Sequence, residues 1–209
     1  MGASIPGVDF GSLTFAPTGE VIAAARLGVR VGPREVRSYA IPTDKPGVPE
    51  PLERIQAAVM TPGGFVLVAD GKKKRIYRFD SKQQYQGIFP DARDHGVTRM
   101  TLDGEGGIVV LDEDARSVQV FDEAGRLLRS IPPRGAGYEL RRPTDVAVDP
   151  CRNLYVADRE GGVLVFSPQG QLLTVLSGPE LRRPAALTLD PSGMVLVYDE
   201  KAERVLRYR

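Results

Sequence analysis

Pro143-Thr-Asp-Val-Ala-Val-Asp-Pro-Cys-Arg-Asn-Leu-Tyr-Val-Ala-Asp-Arg-Glu-Gly-Gly-Val-Leu-Val-Phe-Ser-Pro-Gln-Gly170 is the stretch whose reading decides the fold. It predicts three short strands, Val146 to Val148, Leu154 to Ala157 and Val163 to Phe166, each followed by a reversal. Asp149-Pro150, then Asp158 with Gly161-Gly162, then Ser167-Pro168-Gln169-Gly170 supply the turns. Leu172 to Leu176 adds a fourth strand. A lone meander of this size cannot bury both of its faces, so it needs neighbours of the same kind.

The neighbours are in the sequence. Asp70, Asp112, Asp158 and Asp199 close the second strand of successive copies at spacings of 42, 46 and 41 residues. Phe79, Phe121, Phe166 and Tyr208 close the third at 42, 45 and 42, and are expected to pack between copies. Gly64, Gly106, Asn153 and Gly193 are expected in the first hairpin turn, where a positive φ is often needed. An earlier, worn copy fits Leu13 to Tyr39. Five copies of a strand-only period predict an all-β radial array of four-stranded antiparallel blades.

The order Pro, Val-Ala-Val-Asp, Leu-Tyr-Val-Ala-Asp, Val-Phe and Gly resembles the NHL-type β-propeller repeat. Ala58-Val59 with Phe65 to Asp70 and Tyr77 to Asp80 resembles it too, as does Met100 to Asp103 with Ile108 to Asp112 and Val118 to Asp122. The resemblance covers roughly residues 51 to 209 well and 5 to 40 loosely. It implies one β-propeller domain over residues 1–209, with repeats at about 5–50, 51–93, 94–138, 139–180 and 181–209. The last copy lacks its fourth strand, and the family habit of six blades leaves room for one more. Open blade edges at the ends of such an array would invite self-association.

The first copy is expected to differ. Arg26 to Glu35 reads as a lengthened loop between its second strand, Val21 to Ala25, and its third, Val36 to Tyr39. The prolines between Ile41 and Pro51 argue against a hydrogen-bonded fourth strand.

Charge excludes several roles. With 28 basic and 27 acidic side chains there is no whole-molecule field to draw nucleic acid or an anionic membrane, and no tryptophan to stack bases. No apolar run is long enough to span a bilayer. Met1-Gly2 starts like a myristoylation signal, but Pro6 stands where Ser or Thr is wanted. One cysteine, Cys151, excludes an internal disulfide. His95 is the single histidine, which rules out a histidine metal cluster, and no nucleophile elbow or phosphate-binding loop is present. No catalytic residue, metal ligand or cofactor is assigned.

The candidate binding residues lie in two sets of loops. Glu139-Leu-Arg-Arg-Pro143 and Glu180-Leu-Arg-Arg-Pro184 repeat each other, and Leu52 to Ile55 echoes them. Arg54, Arg142 and Arg183 thereby occupy one blade position, taken by His95-Gly96 in the third copy. Lys72, Lys73 and Lys74 fall in a loop between second and third strands, which in a propeller emerges at the same end. Together they form a candidate patch for an acidic protein segment or a small anion. A structural alternative pairs Arg142 and Arg183 with Asp145, Glu139, Glu180 or the repeated strand-end aspartates, stitching neighbouring blades together. A ring of strand-end aspartates could hold a cation, but each is equally suited to capping its own turn.

The resulting expectation is a non-catalytic interaction module that binds a protein segment at its loop-rich face. Two alternatives remain: a metal-assisted propeller hydrolase or lyase, and a structural blade array within a larger assembly.

Overall fold

A computed structural model describes residues 10–25, 28–31, 35–43, 48–52, 54–89, 96–190 and 192–209. These residues contain strands and turns and no helix. The chain divides into two units, Met1–Asp94 and His95–Arg209.

The first unit holds two four-stranded sheets. One is β1 (Phe10–Phe15), β2 (Val21–Ala25), β3 (Gly28–Val31) and β4 (Glu35–Arg37). β5 (Ala40–Ile41) and β6 (Glu50–Pro51) form a small ladder in the connection. The other sheet is β7 (Ile55–Met60), β8 (Val66–Asp70), β9 (Arg75–Phe79) and β10 (Tyr85–Phe89).

The second unit repeats the plan. β11 (Val97–Leu102), β12 (Ile108–Asp112), β13 (Ser117–Phe121) and β14 (Leu127–Ile131) make the third sheet. A short hairpin, β15 (Arg134–Gly135) and β16 (Tyr138–Glu139), leads out of it. β17 (Pro143–Val148), β18 (Leu154–Asp158), β19 (Gly162–Phe166) and β20 (Leu172–Leu176) make the fourth. β21 (Pro184–Leu189), β22 (Val195–Asp199) and β23 (Arg204–Tyr208) make a three-stranded fifth, as expected of the last copy.

Every sheet is an antiparallel meander; the second strand is the most deeply covered in the second, third and fifth sheets, and the third strand, β19, in the fourth. β8 and β12 are buried along their whole length. Ile22, Ala24 and Val29 of the first sheet pack on Val66, Val68, Tyr77 and Phe79 of the second. Tyr39, from the connection, closes that layer with its ring 4.6 Å from Phe79. In the second unit, Val109, Leu111 and Val118 face Val156, Leu164 and Phe166. Ala157 and Val163 in turn face Leu187, Val195 and Val197. Phe79 and Phe166, at the ends of their third strands, are thus inter-sheet fillers, each contributing roughly 2–3 kcal/mol.

Two expectations are corrected. The supposed long loop of the first copy contains strand β3, and Val36-Arg37 belongs to the fourth strand instead of the third. A β-rich tetrapeptide, Gly-Val-Arg-Val, was hidden there by its short length and flanking glycine. The described ends of the proline-rich connection pair with each other across β5 and β6, outside the first sheet, and supply no fourth strand to it, as expected. In the first turn of the fourth sheet the left-handed residue is Arg152 (φ 67°), not Asn153. Its N–H donates to the Asp149 carbonyl just as Gly64, Gly106 and Gly193 donate to residues 61, 103 and 190.

The one-residue offset between the aspartate and ring spacings, 46 against 45 and then 41 against 42, also has a structural cause. Turns after Asp70, Asp112 and Asp199 place Lys74, Arg116 and Glu203 at φ 52°, one residue before the third strand starts. After Asp158 the left-handed residue, Gly162 (φ 89°), is itself the first strand residue. A Cβ there would meet the Leu176 carbonyl oxygen at 2.4 Å, so this shortened turn accepts only glycine.

Candidate functional site

The strand-end aspartates build the site. Asp158 is fully buried and accepts from the Glu160 amide on Oδ1 (2.9 Å). Its Oδ2 accepts from the amides of Arg141 (2.7 Å) and Arg142 (3.0 Å), in the loop entering the sheet's first strand. Asp199 repeats this with the Ala202 amide on Oδ1 and the Arg182 and Arg183 amides on Oδ2. One carboxylate therefore latches two loops together, and the buried charge is compensated by several N–H donors. Burial alone would push Asp199 up, but the amides of Arg183, Ala202, Arg182 and Lys201 outweigh it and hold its carboxyl below the usual range.

A backbone hydrogen bond completes each latch. The amides of Gly71, Glu113, Arg159 and Glu200 donate to the carbonyls of Arg54, Gly96, Arg142 and Arg183, at 2.8–3.0 Å. Arg54, Arg142 and Arg183 are equivalent in backbone position, and Gly96 takes that place in the third sheet. Beside Gly96 lies the Asp114 side chain, so close that a Cβ at 96 would sit 2.4 Å from its carboxyl carbon. His95 lies outside the described residues.

With the backbone held, Arg54, Arg142 and Arg183 present exposed side chains. The acids proposed as their partners are engaged elsewhere. Glu139 pairs with Arg134 (2.6 Å) and Arg141 (3.5 Å), and the Arg134 hydrogen bond holds its carboxyl below the usual range. Glu180 pairs with Arg204 at 3.4 Å, Glu200 with Arg159 at 3.1 Å, and Asp145 with Arg99 at 3.5 Å. Arg182 Nε donates to the Pro179 carbonyl. Among the described residues no ion pair or side-chain hydrogen bond is made by Arg142 or Arg183. The structural alternative holds in part: Asp145, Glu139 and Glu180 pair with other arginines, whereas the strand-end aspartates Asp158 and Asp199 do bind Arg142 and Arg183, through their backbone amides and not their side chains.

In the first unit Lys73 pairs with Glu50 at 2.6 Å, while Lys72 and Lys74 are exposed at the turn. The Gly71–Arg54 hydrogen bond puts that turn beside Arg54. The six candidates therefore form two groups, Arg54 with Lys72, Lys73 and Lys74 in one unit, and Arg142 with Arg183 in the other.

Two polar clusters escaped the sequence reading. Asp145, on β17, pairs with Arg99 of β11 and accepts the amide of Leu187 on β21 (2.9 Å), tying three successive first strands together. Burial pushes its carboxyl up, against the Leu187 amide, Arg99 and the Val146 amide. Arg152 reaches Asp103 (3.1 Å) and Glu105 (2.6 Å) on the third sheet. A repeat-based reading ignores both, because each occurs in one copy only.

For catalysis, the described residues offer no group of three His, Cys, Asp or Glu side chains placed to share a metal ion. Cys151 is exposed on a turn. No helix among the described residues is long and apolar enough to cross a membrane.

Solved structures share this architecture. Virginiamycin B lyase from Staphylococcus aureus superposes with a TM-score of 0.69 at 13% identity, covering 99% of this chain and 71% of the lyase. The WD40 β-propeller domain of Doa1 gives 0.71 at 16% identity, covering 94% and 62%. The fold is a β-propeller. A putative gluconolactonase is similar to this propeller with a TM-score of 0.60 at 22% identity over 74% of the chain and 59% of its own. No family model matches the sequence, and no curated protein matches it. At these identities the likeness shows the propeller fold alone.

Proposed function

We propose that the propeller is a non-catalytic interaction module that captures an acidic segment of a partner protein on its Arg142–Arg183 rim. Arg54, beside the Lys72 to Lys74 turn in which Lys73 already pairs with Glu50, is the corresponding candidate on the first unit. The observation that carries this reading is the pair of exposed guanidinium groups that no described acid neutralises, on loops whose backbone is clamped by buried aspartates. A rigid mount and an uncommitted fork of donors favour carboxylate or phosphate at low ordering cost. The similarity to a WD40 domain supports an interaction role. We further read residues 1–209 as a single propeller domain of NHL-type repeats.

The test is fluorescence anisotropy with a labelled hexaglutamate peptide at low salt. Binding is expected to weaken at least about tenfold in the Arg142→Ala/Arg183→Ala variant and with rising salt. Unchanged binding would remove the assignment.

The enzymatic reading is favoured by the lyase and the putative gluconolactonase among the similar structures. Against it, Asp158 and Asp199 spend both carboxylate oxygens on backbone amides. Stoichiometric, tight uptake of a divalent cation in calorimetry would revive it.

A further inference from the structure

The outer strand β20 is built unlike the other outer strands. It lies at the open edge of its sheet, pairing among the described residues with β19 alone. It reads Leu-Leu-Thr-Val-Leu, and Leu173 (55% exposed) and Val175 (38% exposed) leave apolar surface in solvent. It also sits inside residues 161–179, nineteen consecutive residues without a charged side chain, in a chain where 26% are charged.

Open strand edges are normally guarded by charge, proline, bulges or brevity, because their free N–H and C=O groups template further pairing. The other outer strands carry such guards. β4 has three residues, two of them Glu35 and Arg37. β14 contains Arg129. β10 contains Gly87 at φ 125° beside a register shift. β20 has no charge, no proline and no glycine; its register shift, between Leu172 and Thr174, is shared by β10 and β14 and does not distinguish it.

We propose that β20 is a self-docking edge, pairing antiparallel with β20 of a second copy of this chain across a two-fold axis. A two-fold brings each side chain of the edge near its own counterpart, so any charge on the strand would face a like charge. An uncharged run is the electrostatic requirement for such an isologous contact, and residues 161–179 meet it. Pairing would satisfy the outward backbone groups, which alternate residues of the strand carry, and bring Leu173 and Val175 of each copy against the other. The resulting sheet would be continuous across the dimer, with eight strands. This contact is independent of the Arg142–Arg183 rim.

The experiment is sedimentation equilibrium of the full chain over a range of concentrations, with Cys151→Ser included to exclude disulfide-linked dimers. The expected result is a reversible dimer. Leu173→Lys/Val175→Lys, at exposed positions that spare the core, should weaken it roughly a hundredfold by placing like charges across the axis. Leu128→Lys, an equally exposed change on β14, should leave the dimer constant unchanged. A wild-type chain that stays monomeric throughout overturns the proposal. So does a dimer that survives the double lysine variant, or one that Leu128→Lys breaks equally.

Discussion

The second sheet and the fourth carry the same strand-end aspartate and use it differently. Asp158 takes donors on both oxygens and ties its own turn to the loop before β17. Asp70 accepts the amides of Lys72 and Lys73 on Oδ1, but its buried Oδ2 finds no donor among the described residues. The residue type is set by the repeat, whereas the work it does is set by the loop that reaches it. The arginine position differs in the same way: Arg142 projects from a latched loop, while the third sheet has Gly96 there with Asp114 beside it.

The largest effect should separate the two aspartates. Asp158→Ala strands three half-buried amides and should cost on the order of 3 kcal/mol, with Asp199→Ala similar. Asp70→Ala should cost about half as much, since it also removes a buried oxygen lacking a donor. Urea unfolding measures all three, and equal losses would abolish the contrast.

Next in size is an opposed pH dependence of Asp199 and Asp145. The carboxyl of Asp199 is lowered in the fold, so its stabilisation is present above its unfolded value of about 3.9 and fades as pH falls through the folded one. Asp199→Asn should therefore cost most near neutrality and least in acid. Asp145 is raised, so its contribution is present below that unfolded value and lost as pH rises through the folded one. Asp145→Asn should grow less costly as pH rises. Unfolding midpoints measured from about pH 3 to 7 would show the two gaps moving in opposite directions; parallel gaps would refute the burial argument for Asp145.

A smaller difference is expected at Arg152. Both Arg152→Ala and Arg152→Gly lose the bonds to Asp103 and Glu105, but glycine relieves the left-handed backbone. The glycine variant should be the more stable of the two by about 1 kcal/mol, as thermal unfolding can read. The smallest change should come from Arg142→Ala/Arg183→Ala, within about 0.5 kcal/mol of the parent. A larger loss would mean that these side chains hold the loops, contrary to their lack of partners.

Much of this was legible in advance. Strand positions from Ile55 onward follow from alternating apolar runs and turn residues, and Phe79 and Phe166 fill the inter-sheet layers foreseen for them. The register of Arg54, Arg142 and Arg183 was legible because Glu-Leu-Arg-Arg-Pro recurs. What stayed hidden was unrepeated. Strand β3 is four residues with no apolar run, Arg152 replaced the glycine of its siblings by one position, and the Asp145–Arg99 pair joins residues 46 apart.

By itself, then, the order of residues determined a train of antiparallel meanders, because period-two burial and turn chemistry act within a few residues. It also determined that two arginine pairs enter successive sheets at one register. Tertiary structure alone decided which arginines are left over, since ion pairing depends on which loops a buried carboxylate draws together through space. Arg141 and Arg142 are neighbours in the chain; only the Asp158 latch and the position of Glu139 make one a structural partner and the other a free donor.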